Sequence, residues 1–447
     1  MKDIILNKVK EALPVMLEAE RFLWCHPETG YNEWQGQDYL AKKYTELGYS
    51  LVFAGDMPGF YTDIDTGRPG PTLCIMGELD ALDIKDHPEA VNGACHACGH
   101  NVQSAVLLGI AKCLKDGDLL KEMSGRIRLM ATPAEEMIQL EYRRGLIAEG
   151  KIRHMGGKTE LMRRGFFDGV DISVMVHANT SGSGIDFDCS LGSNGCIAKV
   201  VTYRGRASHA GGAPQCGINA LYAATLGLQA CNSLRETFTE GDKIRFHPIV
   251  KGIDTAVNII PDKTVIESYV RGRSLEAIVR ENKKLNRALA ASALALGANV
   301  EIEDVFGYYP EFHDKALFDL TQKCCEDISG KDRVVFNYSG WGTASSDFGD
   351  VTAVMPGIQF NISGAEGACH GVTYRIKDRE RICTNGAHAE IYLAYRLMEN
   401  GCSEAKRIIN AYKPDFASCA EYLACVNEIS KSGLCVEYGT DEARVKW

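Results

Sequence analysis

The 447-residue chain has no apolar run approaching the roughly 18 residues that a membrane span needs. No secretory leader is expected either. Its first residues, MKDIILNKVKEALPVMLEAERFLW, read as a charged amphipathic helix and not as a short basic stretch followed by an apolar core. A cytoplasmic location is expected. Positive charge is in deficit, with 49 Lys and Arg against 59 Asp and Glu, and the net charge of -10 is spread along the chain. No basic stripe is available for a phosphate backbone, so neither nucleic acid nor membrane is an expected partner. The chain lacks internal repeats and low-complexity tracts. It has no P-loop, no G-x-G-x-x-G after a strand and no G-x-S-x-G elbow, which argues against nucleotide-dependent enzymes and serine hydrolases of that type. With 45% hydrophobic and 24% charged residues, it has the composition of an ordinary globular protein, long enough for two or three packed cores.

Cysteine is plentiful. Seventeen is an odd number in a long chain without a leader, so a disulfide scaffold is a poor reading and a reducing interior a better one. Cys113, Cys231, Cys324, Cys325 and Cys402 lie in or beside apolar helical patterns, where a free thiol behaves as a small buried hydrophobe. The exception is the segment Cys95-His96-Ala97-Cys98-Gly99-His100-Asn101.

Strands are expected at PTLCIMGELD (71–80), RIRLMA (126–131), DISVMVHA (171–178) and VTAVMPGIQFNI (351–362), with a helix over 101–115 capped by His100 or Asn101. Strands alternating with helices imply a mainly parallel α/β sheet with helices on both faces and functional groups at the carboxyl ends of its strands. From 193 to 306 the order becomes β-α-β-β-α-β. That predicts an inserted ferredoxin-like α+β domain with a one-sided sheet, whose first strand is not doubly buried. The predicted division is 1–192 with 307–411, the insert 193–306, and a C-terminal extension 412–447 with no assignable task.

Cys98 and His100, two apart in a glycine-containing turn, suit a transition metal, although a pair of structural residues or a Cys95–Cys98 redox pair competes with that reading. Glu135 and Glu136 follow a strand that Pro133 stops. Adjacent glutamates usually form a solvated helix face, but at a buried strand end one can hold an ion and the other face a water, the pairing metal-assisted hydrolysis needs. His177 ends an apolar strand, and His370 sits in the loop Gly364-Ala365-Glu366-Gly367-Ala368-Cys369-His370-Gly371.

In sequence order, GELDAL, HACGHN, TPAEE, His177, RGRASHAGGAP, Asn258-Ile259-Ile260-Pro261 and His370 resemble the aminoacylase and glutamate-carboxypeptidase family of metal-dependent amidohydrolases. The resemblance runs from about Leu17 to Leu397. It is greatest to the branch containing hippurate hydrolase, auxin-conjugate hydrolases and the aminobenzoyl-glutamate utilisation proteins. It implies Cys98, His100, Glu136, His177 and His370 as metal ligands, Glu135 as general base and Asp80 as the residue orienting the site. It also implies that the inserted domain is a lid and dimerisation domain, with His209 stabilising the reacting carbonyl and Asn258 and Arg271 gripping a substrate carboxylate. Two departures stand out: Asn101 occupies the place of an Asp in the hippurate type, and the basic stretch 137–169 is longer than expected.

The function implied is hydrolysis of the amide bond of an N-acyl amino acid, an aminobenzoyl-glutamate-like molecule or a dipeptide. It would use one or two divalent ions, with zinc, manganese, cobalt and nickel all compatible with the mixed ligand set. The expected assembly is a homodimer. Two alternatives of other classes are a non-catalytic regulatory subunit of the same fold and a thiol redox protein using Cys95 and Cys98. The intact Glu135 beside a full ligand set weighs against the first.

Overall fold

The computed structural model describes residues 1–446 apart from 181, 183, 252 and 254, and they form two compact units. One comprises 1–192, 311–341 and 347–422, and the other 193–310, 342–346 and 423–447.

The first unit is built on an eight-stranded sheet in the order Val52–Phe53, Phe60–Asp65, Arg126–Thr132, Thr72–Glu78, Ile172–Asn179, Gly357–Ser363, Phe187–Ser190, Val334–Asn337. The four strands in the middle, from Arg126–Thr132 to Gly357–Ser363, run parallel. Thr72–Glu78 is buried at every position, as the uninterrupted apolar run requires of a strand covered on both faces. Helices Lys2–Cys25, His100–Leu114 and Arg379–Met398 pack together on this sheet and bury Val9, Met16, Leu23, Val106, Ile110, Ile391 and Leu397. Because the strands are parallel and in register, Glu78 beside Thr132 and His177 beside Asn361 finish at one edge.

Two local expectations change. The segment 351–362 is not one strand: Phe348–Thr352 is helical and the strand begins at Gly357, directly after Pro356, which has no N–H to give a ladder. The helix expected over 101–115 is His100–Leu114, and no side chain caps it. Gly99, with φ 83°, turns the chain into it, and Asn101 Nδ2 instead donates to the buried Glu20 Oε1 at 2.8 Å.

In the second unit, Gly195–Arg204, helix Ala220–Ser233, Arg245–Phe246 with Ile249–Val250, Lys263–Gly272, helix Leu275–Ala295 and Asn299–Tyr308 follow in β-α-β-β-α-β order, all strand pairs being antiparallel. Lys263–Gly272 alternates buried and half-buried residues in the manner of a one-sided sheet. The first strand departs from that expectation, being buried throughout from Gly195 to Val201, because it lies centrally between two ten-residue neighbours. It even buries Lys199, whose ammonium Asp304 and Asn286 hold. The C-terminal segment contributes Lys431–Leu434 as an added edge strand on Asn299–Tyr308, which its polar sequence had not suggested.

One stability consequence is measurable. His388 is buried, its Nε2 3.2 Å from the Lys2 carbonyl, and burial holds its imidazole down to about 4. The unfolded chain takes up this proton near pH ~6.5 and the folded chain only near 4, so its contribution is full above pH ~6.5 and is lost as pH falls towards 4. The stability gap between wild type and His388→Gln is expected to narrow by up to roughly 1.4 kcal/mol per pH unit in that window. Urea midpoints of both proteins at several pH values check it.

Candidate metal centre

The turn before helix His100–Leu114 is tight, with Ala97 N–H bonded to the Cys95 carbonyl and Gly99 N–H to the His96 carbonyl. Gly99 is required there: a Cβ would lie 2.5 Å from Ala178 Cβ and 2.6 Å from the Tyr374 hydroxyl, at a positive φ. The turn places Cys98 Sγ 3.3 Å from His177 Nε2 at the end of Ile172–Asn179. His100 directs Nδ1 at Asp80, 2.9 Å from its carbonyl and 3.1 Å from Oδ1, so that the proton belongs on Nδ1. Its Nε2 lone pair then faces Glu78 Oε2 at 3.2 Å, with Glu135 Oε2 at 3.9 Å. Asp80 also accepts the Glu136 N–H at 2.8 Å through Oδ2, tying the HACGH turn to the glutamate pair. Glu136 Oε1 lies 3.1 Å from His370 Nε2.

Cys98, His100, Glu136, His177 and His370 therefore converge at one sheet edge, with Asp80 and Glu135 among them. Ligand atoms fall into three overlapping groups, each within 4.8 Å: Cys98, His100 and His177; Cys98, Cys369 and His370; and Glu78, His100 and Glu135. Among the described residues, His100 Nε2 and Glu78 Oε2 are buried without hydrogen-bond partners. A lone pair facing a carboxylate oxygen is repulsive unless a proton or a metal ion lies between them, and the gathered thiol, imidazole and carboxylate donors fit divalent metal. Burial, reinforced by Glu78, Glu136 and Asp347, pushes the Glu135 carboxyl well above its ordinary range. For Glu136, burial pulls the same way, but the hydrogen bond and charge of His370 prevail and lower it.

The basic stretch 137–169 has a task the sequence did not disclose. It folds into helices Leu140–Ala148 and Gly157–Arg163, and its Arg143 and Lys158 run beneath the glutamate pair. Arg143 stands over the Tyr31 ring at 5.4 Å and donates to the carbonyls of Ala134, Glu136 and Met155. It supports a turn in which Ala134 takes φ 57° and gives its N–H to Glu33 Oε1 at 2.7 Å. Lys158 is fully buried, its Nζ 2.5 Å from Glu78 Oε1 and bonded to Asp347, whose Oδ2 accepts the Lys158 N–H at 2.9 Å. Glu78, Lys158, Asp347 and Cys369 were not singled out from sequence. Glu78 had a signal in its spacing from Asp80, and Cys369 in its adjacency to His370, whereas nothing local marks Lys158 or Asp347.

His209, Asn258 and Arg271 belong to the second unit. His209 bridges Ile259, and Ala210 N–H donates to the Asn258 carbonyl at 2.8 Å, so the two loops carrying His209 and Asn258 run side by side. The exposed His209 accepts the N–H groups of Gly211 and Gly212 on Nδ1, at 3.2 and 2.8 Å, which leaves the proton on Nε2. Arg271, in Lys263–Gly272, stands over Tyr269 with its Nε buried and, among the described residues, without a hydrogen-bond partner. Cys95, the other half of the redox reading, is buried and its thiol pushed up to about 12, the opposite of a reactive thiolate.

Among known proteins, a model of Peptidase family M20/M25/M40 matches residues 74–395. The Xaa-Arg dipeptidase of Mus musculus is 30% identical over 382 residues, 80% of this chain and 78% of that protein. The indole-3-acetyl-aspartic acid hydrolase of Enterobacter agglomerans is 24% identical over 353 residues, 67% of this chain and 76% of that protein. Among solved structures, a Bacillus subtilis dinuclear metal binding peptidase from the M20 family superposes with a TM-score of 0.65 at 19% identity, covering 87% of this chain and 99% of that one.

Proposed function

The chain belongs to Peptidase family M20/M25/M40, metal-dependent hydrolases of amide and peptide bonds, and from that premise we propose that it cleaves the amide of an N-acyl amino acid or a dipeptide-like molecule. The names of its relatives support that substrate class, since one is a dipeptidase and another hydrolyses an acyl-aspartate amide. The observation that carries the reading is the convergence of Cys98, His100, Glu136, His177 and His370 on one sheet edge with the Glu135 carboxyl beside them. These five residues would hold two divalent ions, in keeping with the dinuclear neighbour. Such ions, when bound, polarise the amide carbonyl and bring the pKa of water near neutrality.

The chain's own groups do the rest. Glu135, its proton affinity raised by burial and neighbouring carboxylates, takes a proton from the attacking water and returns it to the leaving nitrogen. Asp80 holds the His100 tautomer and the backbone of Glu136 together. His209 donates from Nε2 to the oxyanion, and Arg271 with Asn258 grips the substrate carboxylate, the Arg271 Nε having no acceptor among the described residues. An assay of the metal-reconstituted protein on N-acyl amino acids, aminobenzoyl-glutamate and dipeptides tests this. Turnover of at least one class is expected, and inactivity on all three at full metal occupancy contradicts the reading.

The cysteine assignment has its own test. Cys98→Ala is expected to lower metal occupancy sharply and Cys95→Ala to leave it unchanged, because only Cys98 touches His177 and the His370 loop. Metal analysis of the two purified variants decides it.

The second unit serves in this reading as a lid and homodimer interface. One edge of its sheet is covered by Lys431–Leu434; at the other, Arg245–Phe246 and Ile249–Val250 pair only with Lys263–Gly272 among the described residues, and Ile249 and Val250 are exposed. That open edge can extend into a second copy. If His209 acts across such an interface, co-expressed Glu135→Gln and His209→Ala chains, each inactive alone, should recover roughly a quarter of wild-type activity by random pairing. Background activity in proven mixed dimers would place His209 in its own chain's site. All described cysteines are free, which suits a reducing, cytoplasmic setting.

A further inference from the structure

We propose that Cys369 is a thiolate ligand of this centre, so that one ion is held by Cys98 and Cys369 together with an imidazole and the site takes zinc in preference to manganese. This rests on the metal-hydrolase reading above and adds to it a ligand and a metal class.

The first support is geometric. The ligand atoms of Cys98, Cys369 and His370 lie within 4.8 Å of one another, and Cys98 is also a member of the group with His100 and His177. The two sulfurs thus face each other, with the His370 imidazole beside Cys369 in the same group.

The second support is that this meeting of sulfurs is fixed by the backbone. His370 N–H donates to the Ala97 carbonyl at 3.0 Å, and Cys369 Sγ lies 3.8 Å from the same oxygen. Gly371 N–H closes the turn on the Ala368 carbonyl at 2.9 Å. His370 itself takes φ 60°, an unfavourable conformation for a residue with a Cβ that the loop nevertheless adopts. The loop Ala368–Gly371 is thus pinned onto the HACGH turn in the register that sets one sulfur against the other.

The chemistry follows from ligand softness. A thiolate pair favours zinc, cobalt and other thiophilic ions, whereas manganese prefers oxygen donors. On binding, each thiol gives its proton to solvent as its sulfur–metal bond forms, so metal uptake releases protons and no oxidant is required. An all-oxygen and imidazole site of the same shape would not discriminate in this way.

The test is a cobalt titration of the metal-free full-length protein under reductant, following the near-ultraviolet sulfur-to-cobalt charge-transfer band. Cys369→Ser, at an exposed position, should bind cobalt with the band reduced to about half, while the Cys98→Ser/Cys369→Ser double variant should show none. The zinc-over-manganese preference, read by competition, should fall in Cys369→Ser. Zinc should also slow alkylation of Cys369 at least tenfold while leaving Cys216, the exposed cysteine of the other unit, unaffected. A full-strength band in Cys369→Ser at unchanged cobalt stoichiometry, or equal alkylation with and without zinc, overturns the proposal and leaves the hydrolase reading intact. If the wild-type protein binds neither cobalt nor zinc, the hydrolase reading falls as well.

Discussion

Glu135→Gln is expected to yield a folded, metal-loaded protein whose kcat is lower by about two to four orders of magnitude. Glutamine preserves the shape of the side chain and its reach towards His100, 3.9 Å away, but cannot take a proton. The raised proton affinity of Glu135 arises from burial and from the carboxylates of Glu78, Glu136 and Asp347, which suits a group that accepts a proton during the reaction. Metal content, thermal unfolding and turnover measured on one preparation separate the cases. Retained activity moves the base to another residue, and lost metal makes Glu135 a ligand.

Replacing Lys158 should have the largest effect on stability. Its ammonium is completely buried against Glu78 and Asp347, and those two charges hold it protonated against the opposing effect of burial. Lys158→Met leaves both carboxylates without their cation, which costs about 3–5 kcal/mol for a buried pair broken on one side. Adding Glu78→Gln to that variant removes one of the orphaned charges and should recover part of the loss. The coupling between the two positions is expected within roughly 0.5–3 kcal/mol of interaction. Chemical denaturation of the two single variants and the double variant supplies the cycle, and strict additivity would show that Lys158 does not neutralise Glu78.

Much of this was legible in the chain itself because the chemistry is compressed into short segments. HACGHN, TPAEE and the strand-end His177 each announce their position through an adjoining strand, glycine or proline, and a parallel sheet then brings strand ends together whatever their distance in sequence. The residues that escaped notice act over long range. Lys158 meets Glu78 eighty positions away and Asp347 one hundred and eighty-nine away, and no periodicity or motif encodes such a pairing. The same holds for the C-terminal strand Lys431–Leu434, a polar segment whose extension is decided by the open edge of Asn299–Tyr308 and not by its own propensity. Pro356 carried a boundary signal that a reading by hydropathy alone passes over.

On the function proposed above, divalent metal held by Cys98, His100, Glu136, His177 and His370 is what makes this protein a hydrolase. The most direct measurement is amide hydrolysis by one preparation before chelation, after exhaustive chelation and after stepwise return of zinc, with bound metal counted at each stage. Activity is expected to vanish with the metal and to return in proportion to reoccupied sites, reaching its plateau at about two ions per chain. Hydrolysis that persists in the metal-free protein would contradict it.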